Sequence, residues 1–259
     1  MKAKVDNIEV QMERMHEMMR VFTHDLRNPL LNIQALVHEL DLSVHANQGA
    51  NHEVSETLVM LKESANRMDD MIVAANEMYH CMFDDLEIES VDMHELFLRC
   101  SASLKLAEEG VLLSCSAMPR VQADPLMVKR VVLELLSNAK KAMVNNIERK
   151  TIRITFIEEN EMAWFCVEDS GCGFIESEME RIFEPCFSGH HFSYGSGMGL
   201  ARVKAMIEHH GGKVDAENVA GHALVGFSLP RNVLKSSVKP LDSSMRITTV
   251  RRKSPKPKG

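Results

Sequence analysis

Along the first third of the chain, apolar residues recur at alternating steps of three and four, the spacing of one face of a helix. Met12, Met15, Met19, Phe22, Leu26, Leu30, Ile33, Val37 and Leu40 form one stripe. Val54, Leu58, Leu61, Ala65, Met68, Ile72, Ala75, Tyr79 and Met82 form a second. An extra step of four from Leu26 to Leu30 is a stutter, and Pro29 marks a kink beside it. The stripes part around Ala46–His52, which contains Gly49. The pattern predicts two long helices joined as an antiparallel hairpin. Each helix has one apolar face, so the pair cannot bury itself alone. Two hairpins combine as a four-helix bundle, which makes the chain a homodimer.

Beyond residue 83 the pattern shortens. Asp84–Ser90 reads as a hinge into a first strand, Val91–Ala107 as a helix, and Val111–Ser116 and Val121–Ala123 as short strands. A helix runs from Pro125 to about Asn145, with Val132, Leu135, Leu136 and Ala139 as its apolar stripe. Thr151–Glu158 and Met162–Glu168 alternate as a hairpin around Asn160-Glu161. Leu200–His210 reads as a helix ended by Gly211-Gly212, and a last strand closes at Phe227-Ser-Leu-Pro230. The fold class that follows is α+β: a helical hairpin, then an α/β sandwich with a sheet on one side and helices on the other. The predicted boundaries are a helical lead at 1–20, the hairpin at 21–83, the hinge at 84–90, the sandwich at 91–232 and a tail at 233–259.

Composition changes this picture only at its edges. A chain of 259 residues has room for two small domains. No apolar run approaches the roughly 20 residues that span a bilayer, and no signal peptide opens the chain. The six cysteines show no paired metal or redox spacing, so they read as reduced thiols and the location as cytoplasmic. Residues 231–259 carry nine Lys/Arg against one acidic residue. The whole chain has a net charge of −7, so the remainder stands near −15. A tail of that composition cannot form a core and reads as solvated, or as an electrostatic contact for an acidic partner. No folded DNA-reading motif accompanies it, so nucleic acid is not an expected partner.

Three polar clusters interrupt the apolar pattern. In Gly195-Ser-Gly-Met-Gly-Leu200, Gly195, Gly197 and Gly199 are spaced by single residues, ahead of a helix. Such glycines let backbone N–H groups approach a phosphate, and the helix N-terminus adds a favourable dipole. No Lys-Ser or Lys-Thr follows, which excludes a Walker loop, and no strand leads in, which disfavours a dinucleotide fold. Asp169-Ser-Gly171-Cys-Gly173 follows a buried strand, where a carboxylate suits a purine amino group and glycines allow the ring close. On the helix after Pro125, Glu134, Asn138 and Lys141 share one face. They offer oxygen ligands for Mg²⁺, from Asn138 and Glu134, and a cation for phosphates. Each cluster alone also suits a plain loop, a turn or a solvated face.

Together, in this order, the clusters resemble the ATP-binding domain of sensor histidine kinases and their wider ATPase superfamily. Glu134-Leu-Leu-Ser-Asn138-Ala-Lys-Lys141 resembles the family's N box, and Asp169–Gly173 its first G box. Phe183-Glu-Pro-Cys-Phe187 resembles its F box, and Gly195–Leu200, with Met198, its second G box. Upstream, Phe22-Thr-His24-Asp25-Leu-Arg-Asn28-Pro-Leu30 resembles the H box that distinguishes kinases from the other ATPases. His24 lies two residues from both Phe22 and Leu26, roughly 200° around the helix, and points away from the seam. The resemblance implies autophosphorylation of His24 from Mg·ATP. Asp25 serves as general base, fixing the imidazole tautomer that leaves Nε2 as nucleophile. Asn28 matches the position that orients water for dephosphorylating the partner.

The implied function is a two-component histidine kinase that passes the phosphoryl group to an aspartate on a separate response regulator receiver domain. An upstream sensor or partner supplies the input. Three departures stand out. Ser188–Tyr194 replaces a lid that often carries Lys or Arg, and His190 or His191 stands in its place. Ala142 replaces an aromatic residue common in relatives. Glu134 stands where most histidine kinases have Asn; in related ATPases a Glu there activates water. Two other readings therefore stay open: an ATPase coupling hydrolysis to conformational change, and a non-catalytic dimeric scaffold or phosphatase.

Overall fold

The computed structural model describes residues 26, 29–40, 51–83, 85–143, 149–159, 162–189 and 196–230. The helical lead, the basic tail, His24, Asp25, Asn28, Gly195 and the lid residues His190–Tyr194 lie outside these. Among the described residues, helix α1 covers 29–40 and α2 Asn51–Phe83. Then come β1 (Glu89–Asp92), α3 (Met93–Ser103), β2 (Leu112–Cys115), β3 (Arg120–Ala123) and α4 (Pro125–Ala142). The chain continues through β4 (Thr151–Glu159), β5 (Met162–Asp169), α5 (Gly199–His209), β6 (Val214–Val219) and β7 (His222–Pro230). No helix among the described residues is long and apolar enough to cross a membrane.

Side-chain capping decides where two helices begin. Asp92 accepts from the Glu95 N–H at 3.0 Å and starts α3 at Met93, so Val91 and Asp92 belong to a strand and a cap rather than to the predicted helix. Asp124 caps α4 through the N–H groups of Leu126 and Met127, and Pro125 follows where its missing N–H costs nothing. The α3 helix stops at Ser103, short of Ala107, because Lys105 turns to φ 55°.

Strands β2-β4-β5-β7-β6 form one sheet, and β1 pairs with β3 in a separate ribbon. The β4–β5 hairpin pairs Ile152 with Asp169 and Glu159 with Met162. One face therefore carries Ile152, Ile154, Phe156, Ala163, Phe165 and Val167, all buried. Phe227 of β7 stacks on Phe165 with ring centroids 5.2 Å apart. Over this face lie Val131, Val132, Leu135 and Leu136 of α4 and Val203 and Ile207 of α5, each almost fully buried. A buried histidine ties the two helices at one end: the Asp124 N–H donates to His210 Nε2 at 3.0 Å, while His210 Nδ1–H donates to the Met206 carbonyl at 2.7 Å. Both ring nitrogens are then used by the neutral tautomer, and burial lowers the His210 pKa in agreement.

The helical hairpin behaves differently. Leu30, Val37, Leu58, Ile72 and Tyr79 of the predicted seam stand 44–54% exposed in the single chain. A neighbouring face of α2 is the one buried within the chain: Met71, Ala74 and Met78 pack with Met198, at the start of α5.

Candidate functional site

A cleft of about 170 Å³ opens between α4, the end of β5 and the N-terminus of α5. It gathers the predicted clusters from positions far apart in sequence. Glu134, Asn138 and Lys141 of α4, Asp169 of β5, Gly173, and Gly197, Gly199 and Leu200 all line it. The α4 residues arrive together because Val131, Leu135 and Ala139, on the adjoining face of that helix, are held in the core; Leu135 and Ala139 also reach the cleft. Val167 and Val225 supply an apolar wall suited to a ring. Gly171, Met198 and Phe183 do not line the cleft. Met198 is fully buried against α2, and Phe183 packs against the main core.

Asp169 is buried, and its Oδ1 accepts from the Gly171 N–H at 2.7 Å. Burial raises its pKa to about 6, against the opposing pull of that N–H and of His222. Such a carboxylate gains from any additional donor that enters the cleft. The loop after it is shaped for close approach. A Cβ on Gly171 would stand 2.6 Å from both the Ala142 Cβ and Asp169 Oδ1. Gly173 has φ +70°, and Asn218 clamps the next residue by accepting from the Phe174 N–H and donating to the Phe174 carbonyl, each at 2.8 Å. His222 Nδ1 lies 2.9 Å from the Gly171 carbonyl oxygen. Asn218 and His222 are 44 and 51 residues from the groups they hold, so no local sequence signal marks them.

The glycine loop and α5 form the other wall. Gly197 has φ +69°, and a Cβ there would stand 2.6 Å from the Cys186 carbonyl carbon. No side chain caps α5, which leaves its positive end toward the cleft. A Cβ on Gly199 would stand 2.8 Å from Glu134 Oε2, so the helix start and the α4 carboxylate lie against each other.

Glu134 is where the arrangement departs from the sequence expectation. Its Oε1 accepts from Arg202 Nη2 at 2.5 Å and lies 3.3 Å from Arg130 Nε. The same two guanidinium groups reach Glu77 of α2, Arg202 at 3.1 Å and Arg130 at 3.4 Å. Arg202 is buried. Glu134 is thus a strut in a junction of α2, α4 and α5, and Asn138 is left as the uncharged oxygen donor of the face. The Arg130–Glu134 spacing is visible as an i,i+4 pair, whereas Glu77 and Arg202 carry no signal before the helices are packed. From α2, Asp70 also lines the cleft.

Residues 123–233 match the family described as histidine kinase-, DNA gyrase B- and HSP90-like ATPase. The sensor histidine kinase ZraS of Klebsiella oxytoca is 31% identical over 215 residues, 81% of this chain and 44% of that protein. The methanogenesis regulatory histidine kinase FilI of Methanothrix harundinacea (strain 6Ac) is 28% identical over 246 residues, 89% of this chain and 26% of its own length. The chain therefore spans less than half the length of these relatives. Among solved structures, histidine kinase ThkA in complex with response regulator protein TrrA superposes with a TM-score of 0.65 at 21% identity, over 88% of this chain and 66% of that one. Acinetobacter baumannii histidine kinase AdeS superposes at 0.60 and 17% identity, over 81% and 98%.

Proposed function

The chain carries the catalytic core of a histidine kinase, and from that premise we propose that it uses ATP to phosphorylate its own His24 and then passes the phosphoryl group to an aspartate on a separate response regulator. The observation that carries this reading is the position of the cleft. It lies where the ATPase domain meets α2, and α2 itself contributes Asp70 to its wall.

In this reading the purine enters beside Asp169 and presents its exocyclic amine to a carboxylate otherwise satisfied only in part. Gly173 leaves room for the ring, and Val167 and Val225, paired neighbours on the sheet, form the wall along one of its faces. Lys141 and the uncapped N-terminus of α5 meet the phosphates. Asn138 and the remaining oxygen of Glu134 are the groups that would hold Mg²⁺; the engagement of Glu134 Oε1 by Arg202 makes Asn138 the principal ligand. The metal's contribution is to offset phosphate charge.

His24 Nε2 then attacks the γ-phosphorus as the bond to the β-phosphate oxygen breaks, and Asp25 takes the imidazole proton. His24, Asp25 and Asn28 lie outside the described residues, so their roles rest on the H-box pattern. The exposed apolar stripe of α1 and α2 supports a homodimer, because a second hairpin would cover it.

The test is incubation with γ-labelled ATP. The wild-type chain is expected to take up label that is lost in acid and kept in base, as a phosphoramidate requires. His24→Ala is expected to lose the label while nucleotide affinity changes less than about twofold, since the bundle and the nucleotide clusters are separate elements. Comparable label on the variant, or label stable to acid, refutes the assignment.

A further inference from the structure

The cleft uses only one side of the sheet. On the opposite side β4, β5, β7 and β6 leave a groove with a depression of about 70 Å³. Trp164, Ile157 and Leu224 line it, and Gly226, which supplies no side chain, opens space between Trp164 and Cys166. The rim is acidic: Glu159, Asp215 and Glu217. None of these three has an ion-pair partner among the described residues, whereas Arg153 and Glu168 on the same side already pair at 3.1 Å. Burial and the Asp215 charge both push the Glu217 carboxyl up, as expected for an anion with no cation beside it.

We propose that the basic segment that follows β7, residues 231–259, docks across this groove on its own chain, its Lys and Arg on the acidic rim and its aliphatic residues over Trp164.

Three observations favour that occupant. The first is charge: the segment carries nine Lys/Arg against one acidic residue, opposite in sign to the rim. The second is pattern: Val233-Leu234-Lys235 and Val238-Lys239 set aliphatic residues beside lysines, which suits a groove with an apolar floor and acidic edges. The third is position. Pro230, the last residue of β7, pairs with Met162, and Met162 pairs with Glu159. The segment therefore starts two strands, about 10 Å, from one rim carboxylate. The groove spans three strand spacings, about 14 Å, and ten extended residues reach about 33 Å, enough to turn back and cross it. A nucleic acid would meet the same acidic rim and be repelled by it.

Trp164 is the chain's single tryptophan, so its emission reads the groove in the unmodified protein. In the full chain at low salt, acrylamide is expected to quench this emission about twofold less efficiently than in the Lys235→Glu, Lys239→Glu variant. In the wild-type chain the protection should fade toward ~1 M salt, where the screening length is about 3 Å. Asp215→Lys with Glu217→Lys should expose Trp164 in the same way, and combining both pairs of substitutions should restore protection. Equal, salt-independent quenching of the wild-type chain and the tail variant overturns the proposal. So does protection that grows with protein concentration, which would put the segment on a second copy. Duplex DNA binding that depends on the tail lysines, with no change at Trp164 in any variant, would assign the tail to nucleic acid and overturn it as well.

Discussion

The Asp169 carboxylate is buried with the Gly171 N–H as its hydrogen-bond donor, and its pKa stands near 6 instead of 3.8. The folded protein therefore binds this proton more tightly than the unfolded chain. The stability from protonated Asp169 is full below about 3.8 and is lost as pH rises through about 6. At neutral pH the ionised group costs about 2–3 kcal/mol, because each tenfold change in proton affinity corresponds to about 1.36 kcal/mol. Asp169→Asn removes that charge and keeps an oxygen for the Gly171 N–H. Calorimetry at pH 7.5 is expected to show a nucleotide-free variant that melts higher than wild type, by roughly 4–12 °C. Titration should show adenine nucleotide affinity lowered about tenfold or more, because a pure acceptor has become a mixed donor and acceptor. A lower melting temperature, or unchanged affinity, would contradict the role given to this residue. The ionised carboxylate is thus held at a cost in stability that a donor entering the cleft would offset.

Two junctions govern how the elements meet. At the first, buried Arg202 of α5 joins Glu134 of α4 to Glu77 of α2. Removing one partner of a buried ion pair leaves the others uncompensated, so Arg202→Met is expected to destabilise by about 2–4 kcal/mol in denaturant unfolding. A double-mutant cycle with Glu77→Gln should give a coupling above about 1 kcal/mol; additivity would mean that the contact between α2 and α5 does not depend on this pair. The second junction is the exposed stripe on α1 and α2. Ile72 stands 54% exposed and Leu58 53%, in heptad register on one helix. Leu58→Glu with Ile72→Glu would place charges in the proposed dimer seam. Sedimentation is expected to show monomers for that variant and dimers for the wild type, with γ-phosphate labelling reduced in parallel. A variant that remains dimeric would mean that the stripe is covered by something else.

At the scale of the molecule, the cleft proposed for the nucleotide and the acidic groove lie on opposite sides of one sheet. Events at the tail should therefore leave the chemistry intact. A chain lacking residues 233–259 is expected to autophosphorylate within about twofold of the full chain and to melt within a few degrees of it. Loss of nucleotide binding on truncation would show that the tail belongs to the ATP-binding domain. Much of this layout is legible in the sequence. The stripes on α1 and α2, the β4–β5 hairpin around residues 160–161 and the end of α5 at the Gly211 turn all follow from local spacing. The first turn of α3 was less legible, because Asp92 reads as a helical residue until its side chain is seen to accept from Glu95.

What the sequence determined by itself is whatever depends on period and on backbone freedom. Glu134, Asn138 and Lys141 share a face at any α-helical geometry, and glycines at 195, 197 and 199 mark a backbone free to take left-handed angles; the φ of +69° at Gly197 and its approach to the Cys186 backbone use that freedom. Only the tertiary structure decided how those groups are used. Glu134 has the spacing of a metal ligand, and packing brings Arg202 from 68 residues away onto its Oε1, so that one oxygen serves as a strut and only the other is left for a ligand. Met198 sits inside a glycine cluster, yet its side chain fills the seam with α2 instead of the cleft. Asn218 and His222 hold the loop after Asp169 through contacts between distant strands and turns. The physical reason is the same in each case. Helix and strand periods are properties of a few neighbouring residues, whereas the partner of a buried charge or donor is chosen by long-range packing that no local pattern encodes.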